Sequence, residues 1–223
     1  MALRLLPFRQ YAEENVINLY KVDPLGDSKM DKPFENGAND NGVLVHVTAG
    51  NMDEAPVGYE TQSYLGKTDY PFIGRDQYPV VSLTVQAADD TKQALGVTLR
   101  QTLTHDENGE KLLYYPQKAI ELQAVLTGQA VPVLTKGVVT LDGDTAWESQ
   151  PTAVGNKVWP STSMDKGKFT AQDPGGGEKV IGHVIATGNR INRGVAPDYF
   201  AGNSVGTGTA VASGAYYVVS LNC

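Results

Sequence analysis

The sequence predicts an all-β protein, a mainly antiparallel barrel or sandwich with long loops and at most one or two short helices. Three observations carry this. Short runs rich in β-branched residues recur along the chain, as in Val43–Thr48, Val80–Ala87, Ala124–Leu141, Val180–Thr187 and Tyr216–Leu221. Several of them alternate apolar and polar residues with the period of two that a half-buried strand requires. Between them stand most of the 24 glycines and 12 prolines, which punctuate turns.

The stretch Ala124–Leu141, AVLTGQAVPVLTKGVVTL, shows the style most clearly. Val125, Val131, Val133, Val138, Val139 and Thr140 favour extended backbone. Thr127-Gly128-Gln129 marks a tight bend, and Thr135-Lys136-Gly137 a second one. Upstream, Val81, Leu83 and Val85 fall on one face of a predicted strand, and Leu95, Val97, Leu99 and Leu103 on one face of another. Asp106-Glu-Asn-Gly109 reads as a hairpin turn, with Lys111–Tyr115 as the return strand. Pro116–Gln123 is the best helix candidate, because proline is favoured at the first helical position. Val16–Tyr20 is apolar but short, and periodicity does not separate a strand from one helical turn there. Residues 24–42, 142–177 and 188–214 are polar and turn-rich. Lys157–Trp159 and Lys168–Thr170 are possible short strands within the second of these, and Gly182 marks a bulge in the strand after it.

The organisation expected is an arm over residues 1–23 followed by a β-rich domain over 24–223, with a possible subdivision near 142–179. A chain of 223 residues with 41% hydrophobic and 19% charged residues can bury a sizeable core. Net charge is −7, and no lysine–arginine cluster stands out, which argues against nucleic acid as a partner. No apolar run approaches the roughly 20 residues of a membrane span, and Arg4, Pro7 and Arg9 interrupt the apolar start, so no signal peptide is expected. The single cysteine, Cys223, forms no intrachain disulfide.

Chemistry is sparse. His46, His105 and His183 share no metal-motif spacing with one another or with cysteine. Asp31–Gly42 and Asp142-Gly-Asp144 offer oxygen donors but lack the donor order of a calcium loop, and turns explain them. Gly202–Ala210 lacks the Gly-Lys-Ser/Thr ending of a phosphate loop. No cofactor or metal is expected, and the chain reads as a non-enzyme. Fold-assembled carboxylates of a hydrolase leave no spacing to recognise.

Three stretches resemble the head cement, or decoration, proteins of tailed bacteriophages, with a cyanophage-like character. They are Leu112-Leu-Tyr-Tyr-Pro-Gln117 followed by Ala124–Leu141, in which Gly128–Val139 matches a Gly-Gln-x-Val-Pro-Val-x-x-x-Gly-x-Val pattern; Arg9–Leu19; and Gly66–Pro79. The resemblance covers about half the chain, in pieces, and 142–214 has no counterpart. It implies a non-enzymatic virion protein, made in the host cytoplasm, on the outer surface of the capsid. Its partners would be the major capsid protein and copies of itself, a trimer ahead of a dimer. Leu5, Leu6, Phe8, Tyr11, Val16, Ile17, Tyr70 and Phe72 are the candidate partner-binding residues. The alternative is a carbohydrate-binding β module of a phage or cell-surface adhesin, suggested by the aromatics between Tyr59 and Tyr78.

Overall fold

A computed structural model describes residues 4–23, 40–49, 57–61, 77–81, 83–175, 180–189 and 215–223. It is mostly β, with one α-helix among the described residues, and its sheets curl into a half-barrel. The strands are β1 (Leu5–Gln10), β2 (Val16–Ile17), β3 (Lys21–Val22), β4 (Leu44–Ala49), β5 (Val57–Thr61), β6 (Gln77–Val81), β7 (Thr84–Ala87), β8 (Gly96–Thr98) and β9 (Gln101–Leu103). After the helix α1 (Pro116–Glu121) come β10 (Ala124–Leu126), β11 (Val133–Leu134), β12 (Lys136–Asp142), β13 (Trp147–Ser149), β14 (Lys157–Pro160), β15 (Phe169–Thr170), β16 (Gly182–Asn189) and β17 (Ala215–Asn222).

Two sheets build the body. The larger has seven strands in the order β1-β12-β17-β16-β14-β15-β13, and the second has six in the order β2-β11-β8-β4-β7-β3. Most pairs are antiparallel; β9 with β10, β13 with β15, and β3 with β7 are parallel. The 124–141 stretch is the hinge between the sheets. β11 belongs to the six-stranded sheet and β12 to the seven-stranded one, so the predicted bend at Thr135–Gly137 is where the chain changes sheet. Gly137, at φ +154°, lets the backbone of Gln10 and Tyr11 lie against it; a Cβ there would sit 2.7 Å from the Tyr11 Cβ.

The main core lies where the sheets face each other. Leu44, Val97 and Leu134 from one meet Leu5, Val139, Leu141, Val158, Val184, Val219 and Leu221 from the other. Phe169 is fully buried there, with its ring 5.7 Å from that of Trp147, and Tyr217 meets Trp147 edge-on at 5.3 Å. A second cluster of Val22, Val43, Val45, Val85 and Val133 covers the opposite face of the six-stranded sheet. Burial on both faces accounts for the unalternating Val43-Leu44-Val45. A third cluster, Leu103, Leu112, Ala119 and Ala124, seats α1.

Several expectations are corrected. Residues 4–23 are not an arm apart from the body: β1 is a strand of the seven-stranded sheet, and β2 and β3 lie in the other. The possible subdivision near 142–179 does not show among the described residues, since Trp147, Val158 and Phe169 complete the main core. Val80–Ala87 and Leu95–Leu103 are each broken in two, with β6 and β7 in different sheets and likewise β8 and β9. The Lys111–Tyr115 return strand does not form. Only the His105–Lys111 bridge follows the turn before a 3-10 turn at Leu112–Tyr114 seats Leu112 among Leu103 and Ala119. Of the predicted loops, 24–39 and 190–214 lie outside the described residues.

Candidate functional site

The N-terminal strand, at one margin of the seven-stranded sheet, bears the first candidates. Among the described residues β1 pairs only with β12, in the register Leu5↔Leu141, Arg9↔Val139 and Gln10↔Val138. Two more residues lie between Leu5 and Arg9 than between their partners, so the strand bulges around Pro7. The bulge sorts the side chains. Leu5 and Leu6 fall into the chain's own core, Phe8 is thrown out at 80% exposure, and Tyr11 is 39% exposed. Val16 and Ile17 are half-buried in β2 against β11. Of the eight candidates, then, Phe8 and Tyr11 stand at the surface, and Leu5 and Leu6 are spent on folding. Tyr70 and Phe72, like Tyr64, lie outside the described residues.

Beside β1 opens a cleft of about 780 Å³. Arg9, Gln10 and Tyr11 line one wall, with Leu5 and Pro7; Glu121, Leu122 and Gln123, where α1 ends, line the other, and Asn41 lies between. Arg9 is half-buried, and its Nε donates to the Leu6 carbonyl at 3.0 Å. Burial lowers its pKa from the usual arginine value, and Tyr11 works in the opposite sense. Next in sequence to the lining residue Leu5, Arg4 is buried, ion-paired to Asp40 at 3.8 Å, and donates through Nη1 to the Gly167 carbonyl at 3.3 Å.

Gln123 owes its place to the way α1 stops. The Leu122 N–H reaches back to the Lys118 carbonyl and the Gln123 N–H to the Ile120 carbonyl, which puts Gln123 at φ +50°. That left-handed position usually falls to glycine or asparagine. Gln123 is the sole non-glycine with positive φ among the described residues. Sequence reasoning missed the cleft's residues other than Leu5 and Tyr11, because they come from segments far apart in the chain. One signal was present: a helix ending with no glycine behind it.

Elsewhere the polar groups serve structure. The Asp106 carboxylate accepts the Asn108 and Glu110 N–H groups at 2.9 and 2.8 Å, and Asp142 accepts from Thr145 through N–H and hydroxyl at 3.2 and 2.9 Å. Both are turn clamps. Among the described residues no group of three or more histidine, cysteine, aspartate or glutamate side chains converges as a metal site would need. His183 is exposed, and His46 is half-buried on β4 opposite Gln86. Among the described residues no helix is long and apolar enough to cross a membrane. The fold and site therefore define an all-β protein with an open sheet margin beside a polar cleft. No protein-family model, no curated protein and no solved structure matches the chain.

Proposed function

We propose that this chain is a structural protein of a bacteriophage head, a decoration or cement protein that binds the outer surface of the assembled major-capsid lattice and stabilises it. The observation that carries the reading is β1, a sheet-margin strand anchored in the body by Leu5 and Leu6 that holds Phe8 out into solvent. An aromatic fixed on a rigid strand is a low-entropy anchor for a partner's pocket. The free margin also offers backbone groups to which a partner strand can pair. The resemblance of Gly128–Val139 to a decoration-protein pattern gives the partner its identity, and that stretch joins the two large sheets. On a lattice, many modest contacts add through multivalency, most of all if the protein is itself a trimer or dimer. The reading assigns no catalytic step.

The test is direct. Purified protein is added to heads that lack it, and the temperature at which the heads burst is compared with and without addition. Co-sedimentation and a higher burst temperature are expected. Heads that neither retain the protein nor gain heat resistance would contradict the reading.

A further inference from the structure

The cleft beside β1 carries more than the sheet margin does. Its volume, about 780 Å³, falls within the range of small-ligand sites. Its polar groups are largely unspent: the side-chain amides of Gln10, Asn41 and Gln123 make no hydrogen bond to another described residue, and Arg9 uses only its Nε. Each amide both donates and accepts, arginine presents a fork of donors, and Glu121 on the far wall accepts. Tyr11 adds a partly open aromatic ring. One cation facing one carboxylate does not make a phosphate site, and the few apolar side chains in the wall do not make a lipid site. Mixed donors and acceptors beside an aromatic face are what a polyhydroxylated ring requires, since its hydroxyls both donate and accept while its C–H face is apolar.

Gln123 strengthens the case. The left-handed position after α1 would be met without strain by glycine. A long amide side chain held there at a cost, and directed by that backbone to the cleft wall, is the mark of a residue kept for something other than stability.

We propose that this cleft binds an oligosaccharide, its hydroxyls taken by the amides of Gln10, Asn41 and Gln123 together with Arg9 and Glu121, and one sugar ring stacked on Tyr11. The proposal goes beyond lattice binding and stands whether or not the chain sits on a capsid. An array of neutral and uronate-bearing oligosaccharides, with a strand-forming valine–threonine peptide spotted beside them, is probed with the full chain, with Arg9→Ala, with Gln123→Ala and with Gln123→Gly. The wild type should retain a defined set of sugars, and each variant should lose that signal tenfold or more. Gln123→Gly should at the same time melt about 2 °C higher than wild type, which separates lost binding from lost folding. The proposal is overturned if the wild type retains no sugar, if the variants retain sugars as well as it does, or if Gln123→Gly is no more stable. Capture of the peptide in place of any sugar would also overturn it, by assigning the cleft to a polypeptide.

Discussion

At the residue scale, the groups with displaced pKa values report on stability rather than on reactivity. Asp89 is buried, which by itself would raise its pKa. Bonds from the Thr91 hydroxyl at 2.6 Å and N–H at 3.1 Å, with Lys166 Nζ at 3.3 Å, outweigh burial and hold the carboxyl below the usual range. A depressed carboxylate contributes stability that is present above the unfolded value, about 3.9, and lost as pH falls through the folded value. His46 is also depressed, mainly by burial, with Asp89 and the Ala87 backbone pulling the other way. The folded state therefore resists its protonation, and stability declines as pH drops below about 6.5. Urea midpoints measured across pH should show a first decline below about 6.5 that His46→Gln removes, and a second in the acid range that Thr91→Ala makes smaller. In the core, Phe169→Ala should cost about 3–5 kcal/mol in urea unfolding, because Phe169 is fully enclosed against Trp147.

Among the elements, glycine marks where the backbone cannot give way. A Cβ on Gly96 would collide with the Leu134 carbonyl across the β8–β11 pair. Gly96→Ala should therefore separate that pair and cost about 2 kcal/mol or more, read as a lower denaturant midpoint. The same scale shows how much of the fold was legible in the sequence. β4, β16, β17 and α1 were, because each carries a full β-branched run or a helix start signal, but the bulge expected at Gly182 lies instead between Val184 and Ala186. Two alternating runs misled, since the apolar period continues across a change of sheet: Leu83 follows Val81 in pattern but not in pairing. β13 was hidden because Trp147-Glu148-Ser149 is too short to show a period, and its pairing with β15 is non-local. The turn at Asn108-Gly109 forms, but the strand after it gives way to a 3-10 turn that buries Leu112. Of the cleft, Tyr11 and Leu5 were named from sequence, while Arg9, Asn41, Glu121 and Gln123 meet only once β1, the Asp40–Gly42 turn and α1 are folded together.

For the whole molecule, the order of the seven-stranded sheet ties the first and last described strands together: β17 lies between β12 and β16, and β1 closes the margin beyond β12. Folding must bring the first and last described strands to β12, so both contribute to the stability of the sheet. Removing residues 1–10 should lower the denaturant midpoint markedly by uncovering Val139 and Leu141, whereas loss of a detached arm would leave it unchanged. The same arrangement fixes Phe8 rigidly at the surface, the feature on which the lattice-binding account rests. The most direct measurement of that account is the affinity of the purified chain, and of Phe8→Asp, for heads lacking it. Phe8 is almost wholly exposed, so the substitution should leave the melting temperature within about 2 °C. The account predicts saturable binding by the wild type and a loss of tenfold or more in Phe8→Asp. Equal binding by the two, or no binding by either, would contradict it.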